Sequence, residues 1–263
     1  MLTFVGLGLQ KNGLTLQGLK EARGADTVFI ELYTSLVPGL TLNELEEKIS
    51  NQIIVLNREA VEEHPDEILT AARDGKAVFL VPGDPMVATT HVDLRLRAEK
   101  IGIGTKIIHG PSIESAAPGL SGLQSYKFGR SATIPFPKTP SETPYIVVKQ
   151  NKKLGLHTLL LLDIEASKKR YLTADEAIKI MLKLEEKLRA DAFTPESLVV
   201  VVARAGTSDA EVKGGKAIDL SKLNFGSPPH VLIVPSKLHF FEAEALKILG
   251  NAPAEVVEKY VEK

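Results

Sequence analysis

The sequence predicts an α/β protein of two domains, and three observations carry that prediction. Short apolar, β-branched runs alternate with amphipathic stretches through the first half of the chain, which is the pattern of strands joined by helical crossovers into a mostly parallel sheet. One run, Ala77-Val78-Phe79-Leu80-Val81, is continuously apolar and stops abruptly at Pro82-Gly83-Asp84-Pro85, as suits a strand buried on both faces. Between the halves lies Ser131–Pro144, rich in Pro, Ser and Thr, which reads as a connection. The expected division is therefore an N-terminal α/β domain over 1–130, a linker over 131–144 and a C-terminal α/β domain over 145–263.

Taken in order, Leu2–Leu9 reads as a first strand running into Gly6-Leu7-Gly8-Leu9, where backbone could approach a ligand closely. Thr15 is placed to cap a helix with Leu16, Leu19 and Ala22 on one face. Thr27–Leu32 is the second strand, and Thr41-Leu42-Asn43-Glu44 has the spacing of a capping box. Gln52–Leu56 is a strand, and Glu59–Arg73 is helical with a break at His64-Pro65. After the 77–81 strand, Thr89 or Thr90 caps a helix through Leu94, Leu96 and Ala98, and Thr105–His109 forms the next strand. Gly110-Pro111-Ser112-Ile113 then leads into a small-residue helix expected to break at Pro118-Gly119. In the second half, Pro144–Leu154 is read as helix, Leu156–Ile164 as strand and Thr173–Ala190 as a long helix with Ala177, Ile180, Met181 and Leu184 inward. Leu198–Ala203 and His230–Pro235 are strands flanking a short segment, Gly214–Leu220, and Phe240–Leu249 is the closing helix.

Composition narrows the function classes. With 263 residues, 44% hydrophobic and 25% charged, the chain has enough apolar surface for a sizeable core. A formal net charge of −1 gives no general attraction to nucleic acid or to an anionic membrane, so neither is expected as a partner. The absence of cysteine excludes disulfides, thiolate metal sites and a cysteine nucleophile, and it fits a cytoplasmic setting. The start, MLTFVGLGLQ, has no basic leader and reads as a strand; no apolar run is long enough to span a bilayer.

Gly6-x-Gly8 after a first strand, with Glu31 ending the second strand, matches part of a dinucleotide fingerprint, but Lys11 stands where the third glycine belongs. The six histidines show no metal-ligand spacing, no P-loop follows any glycine-rich turn, and Ser112 has no nucleophile elbow. What remains is four short loops at apolar strand ends, after Leu7, Val81, His109 and Val202, most of them small and weakly charged. Such loops suit a mostly apolar organic cofactor held by backbone hydrogen bonds.

The motifs VGLGLQKNGLTLQGLKEARGADTVFIE, VPGDPMVATTH and HGPSIESA, followed by VVVVARAGTSDAEVKGG and FGSPPHVLIVPSKLH, together resemble the tetrapyrrole-methylase-like class of S-adenosylmethionine methyltransferases, over nearly the whole chain. Within that class, ELYTSL, GDPMVATTH, HGPSIESA, YKFGRSATIPFP and GLHTLLLLDI resemble the archaeal branch that methylates the amino group of a 3-amino-3-carboxypropyl-histidine on elongation factor 2. Gln10 departs from the class pattern, which has a third alternating glycine in the opening. The resemblance implies two α/β domains with S-adenosyl-L-methionine in the cleft between them, S-adenosyl-L-homocysteine as product, and a homodimer. It places the cofactor contacts at Leu9, Asp84, Val87, Ser112, Ile113, Leu162, Ala205 and His230. The residues assign no catalytic base; His91 and His230 are the candidates for one. A sister methyltransferase acting on a tetrapyrrole or RNA stays open as an alternative, as does a nicotinamide-binding oxidoreductase or a non-catalytic ligand-binding module.

Overall fold

The structure, a computed structural model, describes residues 1–139, 141–165 and 168–262. The chain forms two compact units. The first holds Met1–Ile113 together with Lys168, and the second holds Glu114–Glu165 and the chain from Lys169 on.

In the first unit the elements run β1 (Leu2–Gly6), α1 (Leu16–Arg23), β2 (Thr27–Glu31), α2 (Leu42–Ile49), β3 (Ile53–Leu56), α3 (Arg58–Glu62), α4 (Asp66–Asp74), β4 (Ala77–Val81), α5 (His91–Lys100) and β5 (Thr105–Ile108). The five strands make one sheet in the order β3-β2-β4-β1-β5, and every pairing is parallel. The local starts follow from the residues that open each helix. Thr15 accepts from the Gly18 N–H at 3.0 Å, and Thr41 and Glu44 form the expected capping box. Asn57 accepts from the Ala60 N–H at 2.8 Å to open α3. Thr90 precedes α5 but does not cap it, because its hydroxyl donates instead to Glu62 Oε1 at 2.9 Å.

Alternation along the strands fills both faces of this sheet. Phe4, Phe29 and Phe79 pack with Val61, Ile68, Ala72, Leu94 and Ala98, the inward residues of α3, α4 and α5. Val5, Val28, Ile30, Val78 and Leu80 pack on the other face with Ala22, Leu45 and Ile49 of α1 and α2. Truncating any one of those buried phenylalanines to alanine would cost about 3–5 kcal/mol. The arrangement has a functional consequence. β1 and β4 are neighbours, yet the chain leaves β1 toward the α1 face and leaves β4 toward the α5 face. The carboxyl edge of the strands is where open α/β sheets bind ligands, and the loops after β1 and β4 lie side by side on it.

The second unit contains most of α6 (Ile113–Ser121), then β6 (Ala132–Ile134), α7 (Thr143–Lys153), β7 (Thr158–Leu162), β8 (Ile164–Glu165), β9 (Arg170–Tyr171), α8 (Ala174–Leu188), β10 (Leu198–Ala203), β11 (Glu211–Lys216), α9 (Ala217–Leu220), β12 (His230–Val234), α10 (Phe240–Ile248) and α11 (Ala254–Val257). Its main sheet has the order β11-β10-β12-β7-β6. The sequence gives no strand direction for this half, and the sheet is mixed: β6 runs parallel to β7, and the other three pairings are antiparallel. The core on one side joins Leu160, Val199, Val201, Ala203 and Leu232 to Tyr145 and Val148 of α7 and to Ala177, Ile178 and Met181 of α8.

Three sequence expectations need correction. The stretch 131–144 is not a free connection, because Ala132–Ile134 pairs with Leu160–Leu162 as the edge strand and Thr143 already starts α7; the division between units falls after Ile113. Pro118 does not break α6, which continues to Ser121, whose hydroxyl donates to the carbonyls of Ala117 and Pro118 at 2.8 and 3.2 Å. Pro118 is the sixth residue of α6 and brings no N–H, so the helix runs on through it with one intrahelical bond fewer. On α8 the fully buried stripe is Ala174, Ala177, Ile178, Met181 and Glu185, with Ile180 and Leu184 at its margin. Among the described residues, no helix is long and apolar enough to cross a membrane.

Candidate active site

Three loops leave the carboxyl ends of the adjacent strands β4, β1 and β5, and glycine lets them touch. Gly8 and Gly83 exchange backbone hydrogen bonds of 3.1 and 2.9 Å, which ties the β1 loop to the β4 loop. A Cβ on Gly6 would lie 2.5 Å from the Gly83 carbonyl oxygen and 2.6 Å from the Gly110 nitrogen. One on Gly110 would lie 2.5 Å from the same Gly83 oxygen. Gly6 and Gly110 therefore serve backbone packing between loops rather than approach to a ligand. Gly83 has φ +69°, and its own missing Cβ faces nearly open space.

This junction positions Asp84. The residue is 7% exposed, and both carboxylate oxygens are engaged: Oδ1 accepts from the Met86 N–H at 2.9 Å, and Oδ2 lies 2.8 Å from His109 Nδ1. Leu9 and Val87 are half-buried on the loops beside it. Ser112 immediately precedes α6 and Ile113 is its first residue, both half-buried. The structure thus gathers Leu9, Asp84, Val87, Ser112 and Ile113 onto the carboxyl edge of one sheet.

The other three expected contacts belong to the second unit. Leu162 ends β7, Ala205 follows β10 by two residues, and His230 opens β12. β10 and β12 are paired with Ala203 opposite His230, so Ala205 and His230 lie at the same end of the sheet. A residue passed over in the sequence builds this corner. Arg204, with φ 50°, donates through its guanidinium to the Phe225 and Ser227 carbonyls and pairs with Asp209 at 2.8 Å. Its backbone N–H donates to the Pro229 carbonyl at 2.8 Å, next to the cis Pro228-Pro229 bond. Arg204 thereby fixes both the loop carrying Ala205 and the loop entering His230.

Comparison with known proteins agrees with this architecture. Residues 1–220 match the family described as tetrapyrrole (corrin/porphyrin) methylases. A diphthine synthase of Methanosarcina mazei is 48% identical, over 98% of this chain and 99% of its own. One from Methanocella arvoryzae is 50% identical, over 95% and 98%. A crystal structure of diphthine synthase superposes with a TM-score of 0.90 at 39% identity, covering 98% of both chains.

The chain belongs to the tetrapyrrole methylase family, in its diphthine synthase branch. Its activity is accordingly methyl transfer, and the dinucleotide alternative falls on topology as well. In that fingerprint an acid ending the second strand reaches a ribose held by the first strand's loop. In this tetrapyrrole methylase β4 stands between β1 and β2, and the Glu31 carboxylate is taken up locally by the N–H groups of Tyr33 and Thr34 at 2.9 and 3.0 Å and by the Thr34 hydroxyl. Burial raises the Glu31 pKa, and the Thr34 and Tyr33 hydrogen bonds oppose that rise.

Neither histidine considered as a base is available for it. His91 is buried, with Nδ1 donating to the Pro85 carbonyl at 3.2 Å and Nε2 facing the Tyr33 hydroxyl at 3.5 Å. His230 accepts at Nδ1 from the Ala174 N–H at 3.2 Å and donates from Nε2 to the Ser227 carbonyl at 3.1 Å. Desolvation lowers the pKa of both, which keeps them neutral. His230 is thus a neutral cap for α8, and any ligand contact it makes must use its main chain. Among the described residues, no group of three or more His, Asp or Glu side chains could hold a metal ion.

Proposed function

We propose that this chain is an S-adenosylmethionine-dependent N-methyltransferase that converts the 3-amino-3-carboxypropyl-histidine of elongation factor 2 to diphthine, a step of diphthamide biosynthesis. The observation that carries the reading is the junction of three loops around Asp84 at the carboxyl edge of the first sheet, in a chain whose relatives bear the name diphthine synthase.

The residues present fit the cofactor. Asp84 is a buried acid whose oxygens each keep a lone pair beyond the bonds they already accept, so it can take a ribose hydroxyl or attract the cationic end of the cofactor. Gly83 leaves space beside it, and on the same loop the Thr89 hydroxyl is buried without a partner among the described residues. Ser112 offers a hydroxyl, and with Ile113 it stands at the amino terminus of α6. Leu9 and Val87 supply apolar lining. We assign Leu162, Ala205 and the His230 main chain to the same cofactor, on the family resemblance.

When bound, S-adenosylmethionine supplies a methyl group already activated by its neighbouring sulfonium. The protein's share of the work is to hold the acceptor nitrogen in line and to keep water out. By the same resemblance the enzyme acts as a cytoplasmic homodimer. The deciding experiment mixes the protein with S-adenosylmethionine and elongation factor 2 bearing the unmethylated modification. Mass spectrometry of the modified peptide should show added methyl groups, and Asp84→Ala should weaken cofactor binding in calorimetry. Cofactor binding with an unchanged peptide would redirect the reading to a tetrapyrrole or RNA substrate.

A further inference from the structure

Methyl transfer to an amine requires that the acceptor nitrogen first lose its extra proton. An ammonium has no lone pair, and each methyl added to a primary or secondary amine regenerates an ammonium that must lose a proton before the next transfer. His91, His157 and His230 have both ring nitrogens occupied by protein groups. His239 uses Nδ1 to accept from the Phe241 N–H at the start of α10.

His109 differs. It follows the last residue of β5 on the carboxyl edge, its side chain is 72% exposed, and Nδ1 lies 2.8 Å from Asp84 Oδ2. Nε2 has no protein partner among the described residues. A buried carboxylate accepting from Nδ1–H selects the tautomer whose lone pair is on Nε2.

We propose that His109 is the general base of the methyl transfer, oriented by Asp84. This rests on the reading that the same edge holds the cofactor and the acceptor amine. The ammonium of the substrate gives a proton to Nε2. The freed nitrogen lone pair forms the N–C bond, the C–S bond breaks with its electron pair going to sulfur, and the sulfonium becomes a neutral thioether. The proton then passes from the exposed Nε2 to water, which readies the imidazole for the next cycle. Among the described residues, Asp84 is the charged group within bonding distance of this ring, and it holds the ring's orientation.

His109→Asn tests the assignment, since it keeps an N–H donor toward Asp84 and removes the basic nitrogen. Calorimetry should give unchanged S-adenosylmethionine affinity, while methylation of the elongation factor near neutral pH falls by about 10²-fold, the usual contribution of a positioned base. The deficit should narrow at alkaline pH, where the amine is already free, and added imidazole should restore part of the rate of His109→Ala. Long-range nitrogen–proton NMR should find the His109 proton on Nδ1 in the wild type and show that preference lost in Asp84→Asn. An undiminished rate in His109→Asn, a loss that neither alkaline pH nor imidazole relieves, or a proton on Nε2 would overturn the proposal while leaving the site reading intact. Failure of the wild type to bind S-adenosylmethionine would overturn the site reading, and the proposal with it.

Discussion

Gly6→Ala is the sharpest test of how the site is built. Its new Cβ would meet the Gly83 carbonyl at 2.5 Å and the Gly110 nitrogen at 2.6 Å, whereas ordinary contact starts at 3.4 Å. Both obstacles are backbone, so neither can rotate aside. To accept the methyl, the β4 and β5 loops must each withdraw from β1 by close to an ångström. Overpacking of this kind costs about 1–3 kcal/mol, and the backbone obstacles place this case at the upper end. For a chain of this size that corresponds to a melting temperature lower by roughly 6–12 °C. The displaced loops are those carrying Asp84, Ser112 and Ile113, so S-adenosylmethionine affinity should fall along with stability. Gly104→Ala is the control, because a Cβ there meets nothing within 4 Å. Calorimetric melting and cofactor titration on the two variants decide the matter. If Gly6→Ala melts with the wild type and binds with the same dissociation constant, the loops are not packed on one another and the account of the site is wrong.

Two further expectations concern the second unit. Burial alone would raise the pKa of Glu242, but hydrogen bonds from His157, Lys127 and the Gln124 and His239 N–H groups bring it down to about 2. A carboxyl held below its usual 4.5 stabilises the fold fully above that value and loses its contribution as pH falls toward 2. Glu242→Gln should therefore cost about 3 kcal/mol at neutral pH, and its gap to the wild type should shrink by about 2 kcal/mol by pH 3, read by urea unfolding. A gap independent of pH would exclude an ionised Glu242. Arg204→Met should leave the Phe225 and Ser227 carbonyls without their donor, at about 1–3 kcal/mol. Hydrogen exchange should then quicken in the loops on either side, over residues 205–209 and 226–230, and unchanged protection there would deny Arg204 its clamping role.

Much of the fold was legible because the signals are local. The buried strand Ala77–Val81, the capping box at Thr41 and Glu44, and the strand Leu198–Ala203 depend on residues within one element, and each stands where the pattern put it. The misreadings share a cause. Pro and Ser density marked 131–144 as a connection, but Ala132–Ile134 became an edge strand because β7 offered it an open side, and an edge tolerates neighbouring prolines. The antiparallel pairings of the second sheet were hidden for the same reason. Strand direction depends on which partner a strand finds, and an isolated run such as LVVVVA carries no mark of it.

The site divides along the same line. Asp84 stood out because a lone acid between two prolines at a strand end is locally conspicuous, yet its bond to His109 joins two loops with the whole of α5 between them. Six histidines look alike in the sequence, and their partners decide what each can do. His157 meets Glu242 and Ser236, His230 meets Ala174 and Ser227, and His91 meets Pro85 and Tyr33. Those imidazoles bind main chain or neighbouring side chains through both nitrogens, which makes them parts of the scaffold. An imidazole free at one nitrogen and fixed at the other by a buried carboxylate is a different object chemically: it holds its lone pair at a set place and can carry a proton away to water. That distinction comes from the strand order. Because β1 lies between β4 and β5, the loops after those strands meet across Gly6, and Asp84 comes within hydrogen-bonding distance of His109.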